Sequence, residues 1–298
     1  MRVAITGSSG FIGTAVRARL GDLGHDVLRL VRREPAAADE ARWDPGGGVL
    51  EPSVLEGCHG VVNLAGAGLG GRWSEEYKRV LRRSRVPGTE LMARTLAGMA
   101  EPPGVLVSGS AIGYYGADRD GEDLTEDSSP GEDFLARLVV DWEAATGAAA
   151  EAGIRVVLIR TGLVLGAGDG LLARMVPPAR LGLGGRLGSG RQWMSWVSID
   201  DEVSAIVAAL TEDRWSGPVN VTAPDPVTNA AFTKELGRVL HRPTLLAVPT
   251  VVLRTLFGAE MADCTILASQ RVRPAALAAG GFVHADPALG PTLERLLG

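Results

Sequence analysis

The apolar positions of this chain fall in short runs that switch between two periods, and the switching predicts strands alternating with helices. Arg2-Val-Ala-Ile-Thr6 is a short apolar run, and after it Ile12, Val16, Leu20 and Leu23 recur at helical spacing. His25 to Val31 predicts a second strand, Val61 to Gly66 a buried strand ending in small residues, and Val105 to Ser110 another. Residues 74 to 100 read as a helix, and so does Phe134 to about Ala150, with Leu135, Leu138, Val139 and Trp142 on one face. Ile154 to Ile159 is the next buried strand. Arg160-Thr-Gly-Leu-Val-Leu-Gly166 carries it into a stretch with nine glycines between Gly162 and Gly190, a loop over a cleft or a loosely packed connection. Arg191 to Asp200 reads as extended, and Ser198 or Asp200 can cap the helix that follows. Val219 to Thr222 is a strand, a helix runs from Asn229 to near Pro243, and residues 244 to 298 resemble a small unit of helices.

This order predicts an α/β fold of the Rossmann type: a doubly wound parallel sheet with a smaller, mainly helical C-terminal region. Residues 1–165 are expected to form the nucleotide-binding domain, to which 191–222 return. Residues 166–190 and 223–298 are expected to form the C-terminal region.

The first strand opens into Gly7-Ser8-Ser9-Gly10-Phe11-Ile12-Gly13 and then directly into a helix. Glycines at this spacing suit a turn that presses its backbone against a phosphate. Gly7 allows the tight turn, Gly10 leaves room for a pyrophosphate, and Gly13 lets helix and strand pack closely; the helix N-terminus adds free N–H groups and partial positive charge. The alternative is a connection that needs small residues only for packing. The second strand ends Val31-Arg32-Arg33, where an NAD site carries a carboxylate for the ribose hydroxyls and an NADP site an arginine for the 2′-phosphate. Asp26 lies at the wrong end of that strand, so NADP(H) is expected and NAD is disfavoured, against the alternative that both arginines are solvated. Leu64-Ala65-Gly66 has the small side chains that would let a nicotinamide ribose lie close, although ordinary strand-end packing asks for the same residues.

Composition narrows the partners. The chain has 298 residues, 46% hydrophobic and 22% charged, enough for a substantial core. A net charge of −5 argues against nucleic acid or an anionic membrane as the main partner. Cys58 and Cys264 are the only cysteines and the four histidines are scattered, so neither a disulfide framework nor a metal site is expected. No secretory leader pattern and no apolar run of the ~20 residues a spanning helix needs are visible, which points to the cytoplasm. The acidic stretch Asp120 to Asp127 reads as an exposed lid. The basic run Lys78, Arg79, Arg82 and Arg83 reads as a solvated helix face.

Nearly the whole chain resembles the extended short-chain dehydrogenase/reductase superfamily. The resemblance is carried by Gly7-x-x-Gly10-x-x-Gly13, Asn63-Leu-Ala-Gly66, Ser108-Gly-Ser110 with Tyr-Tyr-Gly116, and Arg160 to Gly166. More narrowly it is similar to an atypical epimerase/dehydratase-like branch with a C-terminal domain of unknown function, through Arg72-Trp73, Ser84-Arg85, Gly188-Ser-Gly-Arg-Gln-Trp193 with Trp196, Ser269 to Pro274, and Gly281-Phe282. The resemblance implies an NADP(H) site built from residues 7–13, 31–33 and 64–66, with Asp44 and Arg85 beside it. It also implies that residues 166–190 and 223–298 close a substrate cleft, implies a small-molecule substrate and allows a homodimer.

The superfamily's Tyr-x-x-x-Lys pair has no counterpart, since Leu81, Asp118 and Arg119 stand four residues after Tyr77, Tyr114 and Tyr115. The cation of that pair lowers the tyrosine pKa for proton exchange with substrate. Ser110, Tyr114 and Tyr115 are the candidate replacements, although counting back from Tyr115 puts Ala111 at the usual hydroxyl position. Gln192, Trp193 and Trp196 are candidates for the substrate pocket. The expected function is therefore an NADP(H)-dependent oxidoreductase or epimerase on a small or sugar-like substrate, with a non-catalytic NADP(H)-binding sensor or scaffold as the alternative.

Overall fold

A computed structural model describes residues 1–298. Seven strands form the central sheet: β1 (Arg2–Thr6), β2 (Asp26–Val31), β3 (Glu40–Arg42), β4 (Gly60–Asn63), β5 (Val105–Ala111), β6 (Arg155–Thr161) and β7 (Gly217–Val221). Their order is β3-β2-β1-β4-β5-β6-β7, and every pairing is parallel. The longer helices are α1 (Phe11–Asp22), α2 (Glu75–Arg83), α3 (Val86–Ala97), α4 (Phe134–Ala144), α5 (Leu172–Arg180), α6 (Ile199–Thr211), α7 (Asn229–Leu240), α8 (Thr250–Phe257) and α9 (Leu289–Leu297). The chain winds outward from β1 to β3 and then returns to lay β4 on the other side of β1. That reversal leaves a crevice at the carboxyl ends of β1 and β4, where such sheets hold ligands.

Side chains alternate across each strand, so the sheet feeds two cores. Val3 and Ile5 join Val16 and Leu20 of α1 and Val203 and Ile206 of α6 on one face. Ala4, Leu28 and Val61 join Met92 and Leu96 of α3 on the other. Burying one such leucine or valine contributes roughly 1.5–3 kcal/mol. Ser198, the nearer of the two proposed caps, starts α6 by accepting from the Asp201 N–H at 3.1 Å.

Several segments differ from the expectation. The helix expected over 74–100 is two, because the chain turns at Ser84-Arg85 ahead of Pro87. The expected acidic lid is a strand, Asp118–Leu124, which pairs in parallel with Ser269–Val272. Asp123 takes ion pairs from Arg271 and Arg273, which supply the order that apolar alternation would otherwise signal. The glycine-rich stretch is ordered as well: Leu163–Gly166 and Asp169–Gly170 form an antiparallel pair ahead of α5. Leu165, Leu172 and Val176 share a third core with Trp196, Phe232 and Leu236, and with Leu289 and Leu293 of α9. The C-terminal region therefore contains short strands, Leu246–Val248 among them, in addition to its helices.

Candidate functional site

A cleft of about 880 Å³ opens at the carboxyl ends of β1, β2 and β4. Gly7, Ser8, Ser9, Gly10, Val31, Arg32, Arg33, Asp44, Leu64, Ala65 and Gly66 all line it. The three glycines of the turn differ in what they make room for. Gly7 has φ +67°, and a Cβ there would lie 2.7 Å from the Leu64 carbonyl oxygen. At Gly13 a Cβ would lie 2.2 Å from the Gly7 oxygen, so this glycine lets helix and turn touch. At Gly10 a Cβ would meet only the Gly7 oxygen, at 3.3 Å. The protein leaves the space above Gly10 unfilled, at the N-terminus of a twelve-residue helix whose first N–H groups have no intrahelical acceptor. This is the cradle a pyrophosphate fits.

Three cofactor candidates stand behind the cleft wall. Gly13 packs as described, and Ile12 packs against the core on the α1 face. Phe11 reaches the C-terminal region, where a Cβ on Gly166 would fall 2.3 Å from its ring. Beneath the crevice, a buried polar ladder joins the two strands. Thr6 Oγ1 donates to Asn63 Oδ1 at 2.7 Å and accepts the Ala65 N–H at 3.1 Å. Asn63 Nδ2 and Trp142 Nε1 both donate to Thr89 Oγ1, at 2.9 and 3.0 Å. The Asn63 side chain thus holds the start of Leu64-Ala65-Gly66 against β1.

The two arginines after β2 are not equivalent. Arg33 donates to Glu40 twice, at 2.8 and 2.5 Å, and Arg29 adds a third contact at 3.0 Å. The Glu40 side chain is 1% exposed, also accepts the Ala36 N–H at 2.7 Å, and is held at a pKa of about 2, chiefly by the Arg33 hydrogen bond. Arg32 lines the same cleft, is exposed, and makes no ion pair or side-chain hydrogen bond. Asp44 Oδ1 accepts from the Gly46 and Gly47 N–H groups at 3.0 Å each, so this carboxylate shapes the turn at the cleft edge.

Arg83, exposed as the reading of the basic run expects, also lines the cleft. Lys78 pairs with Glu75 and Glu260, and Arg82 with Asp141, but Arg83 has no ion pair and lines the cleft with Val80 and Ser84. The helix break before Pro87 brings the end of α2 to the site, and the helical periodicity of 74–100 hid that break. Arg85 lies outside the lining. Its guanidinium donates to the Ala67 carbonyl at 2.8 Å, lies over the Trp142 ring at 5.2 Å and packs against Gly66. It has no carboxylate partner, and burial lowers its pKa to about 10.

The catalytic candidates converge, but around one another. Ser110 Oγ donates to Glu143 Oε1 at 2.5 Å, and Arg160 grips the Glu143 carboxylate at 2.8 and 2.9 Å. Arg160 also donates to the Tyr115 hydroxyl at 3.1 Å, and that hydroxyl donates to Asn220 Oδ1 at 2.6 Å. Tyr115 is fully buried, and burial pushes its pKa up to about 12 against the opposing pull of Arg160. This enclosure argues against Tyr115 as a group that touches substrate. Tyr114 is half-buried, its ring 3.5 Å from the Arg160 guanidinium carbon, and its hydroxyl has no protein partner.

Of the substrate-pocket candidates, Trp196 is 1% exposed inside the third core, and Gln192 is buried with Nε2 on the Leu187 carbonyl at 3.0 Å. Both sit where helices and strands pack, away from the cleft lining. Trp193 remains half-buried, with Arg271 over its ring at 4.7 Å. No group of three or more His, Cys, Asp and Glu side chains is arranged to hold a metal ion, and no helix is long and apolar enough to cross a membrane.

Known proteins place this geometry. The NAD dependent epimerase/dehydratase family matches residues 3–222, and a domain of unknown function, DUF1731, matches residues 248–296. The chain therefore belongs to the NAD dependent epimerase/dehydratase family, within the extended short-chain dehydrogenases/reductases. An epimerase family protein of Mycobacterium bovis is 47% identical over 98% of this chain and 96% of its own length. The epimerase family protein SDR39U1 of Homo sapiens is 36% identical over the full length of both chains. A crystal structure of human SDR39U1 (isoform 2) with NADPH superposes with a TM-score of 0.91 at 33% identity, covering 99% of each chain. A nucleoside-diphosphate sugar epimerase structure from Corynebacterium glutamicum gives 0.82 at 38% identity, over all of this chain and 58% of that one.

Proposed function

We propose that this chain binds NADP(H) in the cleft at the ends of β1, β2 and β4 and serves a redox step of the oxidoreductase or epimerase type on a small or sugar-like substrate. The observation that carries the cofactor reading is the free Arg32 beside an already neutralised Glu40. A 2′-phosphate asks for an uncommitted guanidinium, whereas the ribose hydroxyls of NAD ask for an uncommitted carboxylate. Of the carboxylates in the lining, Glu40 is engaged by Arg33 and Arg29, and Asp44 commits one oxygen, Oδ1, to two turn amides. The NADPH in the crystal structure of the human relative supports the same reading.

A bound nicotinamide supplies or takes up a hydride. The chain's own residues position it: the space at Gly10 admits the pyrophosphate, and the Thr6–Asn63–Thr89 ladder sets the level of Leu64-Ala65-Gly66. Tyr114 is the one candidate whose hydroxyl has no protein partner, and we assign to it the contact with a substrate oxygen. The enclosure of Tyr115 and Ser110 favours a second reading, a non-catalytic NADP(H)-binding sensor or scaffold. Titration with NADPH, followed by a screen of sugars, aldehydes, ketones and quinones for loss of NADPH absorbance, separates the two. Turnover abolished by Tyr114→Phe supports the enzyme; tight binding without turnover across the screen supports the sensor.

A further inference from the structure

Seven of the eleven large apolar side chains that this protein leaves exposed fall within residues 181–183 and 245–256. Leu245 is 91% exposed, Leu181 77%, Val251 72% and Leu256 66%. The two segments lie side by side. Gly185–Leu187 pairs in parallel with Leu246–Val248, Arg242 Nε donates to the Arg180 carbonyl at 2.9 Å, and Gly188 packs against Thr250 at the start of α8. Exposed apolar side chains gathered on neighbouring segments in this way mark a binding surface.

The segments that build that face carry arginines and no acidic residue of their own, and Asp263, from outside them, pairs with Arg254 of α8. No Asp or Glu occurs from 171 to 199 or from 236 to 259, although the chain as a whole carries −5. Arg180, Arg186 and Arg242 belong to these segments, and none has a carboxylate within ion-pair distance, unlike Arg238 and Arg254. A second copy of this chain is a poor occupant, because a two-fold interface would set this patch on itself and oppose like charges. An anionic occupant that also takes up exposed leucines meets both halves of the pattern.

We propose that this face docks on an anionic lipid bilayer, with Leu181, Leu245 and Val251 entering the headgroup boundary and Arg180, Arg186 and Arg242 meeting lipid phosphates and carboxylates. The attachment is peripheral, since no helix can span a bilayer. The overall negative charge excludes such a surface only if charge is evenly spread, and here residues 171–199 and 236–259 hold no acidic residue.

The test is co-sedimentation of the full chain with phosphatidylcholine vesicles, with and without phosphatidylserine, at low and high salt. Binding is expected only to the serine-containing vesicles and should weaken with salt. Leu181→Asp with Leu245→Asp, and separately Arg180→Gln with Arg186→Gln, should each lower binding by about tenfold or more. Melting temperature and NADPH affinity should stay unchanged, showing that the fold and the cleft are intact. Failure to bind anionic vesicles at low salt, or binding that survives both double variants, overturns the proposal. So does a native dimer that Leu181→Asp with Leu245→Asp converts to monomer, or a soluble acidic protein held by this face without any vesicle binding.

Discussion

Arg33 closes a two-point ion pair with Glu40, at 2.8 and 2.5 Å, and the pair decides which arginine is left for a ligand. Arg33 follows β2 and Glu40 opens β3, so the contact fastens the connection between these strands. It also removes the one buried carboxylate of the cleft from competition for ribose hydroxyls. Arg32, one residue earlier, keeps a free guanidinium.

Arg32→Asp should therefore weaken NADPH by about tenfold to a hundredfold, the worth of a charged hydrogen bond of roughly 1.5–3 kcal/mol, while NADH changes little. Arg33→Gln should weaken NADPH less than Arg32→Asp does. Fluorescence titration of both variants with both cofactors checks this. Equal loss of NADPH and NADH in Arg32→Asp would sink the 2′-phosphate assignment.

The turn glycines should separate by phenotype. Gly10→Val should lose less stability than Gly13→Ala, since its Cβ crowds only the Gly7 oxygen at 3.3 Å, and should fail to bind cofactor because its side chain enters the unfilled space of the turn. Gly13→Ala should lose stability outright, by about 1–3 kcal/mol, since its Cβ collides with backbone. Thermal melting beside cofactor titration reads both, and normal binding in Gly10→Val would mean the turn serves packing alone.

Tyr115→Phe strands the buried Asn220 Oδ1 and should cost about 1–3 kcal/mol of stability. NADPH affinity should be unchanged. Loss of turnover without loss of stability would restore Tyr115 as a catalytic group.

Glu202 makes stability depend on pH. It is fully buried, Thr161 Oγ1 donates to it at 2.7 Å, and burial raises its pKa to about 8. The folded state therefore holds a proton that the unfolded state releases near pH 4.3, and stability falls as pH rises from there through about 8. Glu202→Gln should flatten that decline and melt higher than the native protein at pH 9. A native melting temperature that does not fall across this window more than the variant's would contradict the assignment.

The parts of the molecule legible in the sequence are those where one local rule suffices. The period change from Arg2–Thr6 to Ile12, Val16 and Leu20, with glycines between, places β1, α1 and the cradle. β3 escaped because Glu40-Ala41-Arg42 has a single apolar residue and is held by ion pairs across β2. Asp118–Leu124 escaped because its partner strand lies about 150 residues away in the chain. The fate of candidate side chains depends on the same long reach: Tyr115 meets Asn220 and Ser110 meets Glu143, pairings that only the tertiary fold creates.

Titration of the native protein with NADPH and with NADH under identical conditions tests the central claim most directly. NADPH should bind at least about tenfold more tightly, a difference of about 1.4 kcal/mol. Equal affinities, or a preference for NADH, would contradict the account of Arg32 and Glu40.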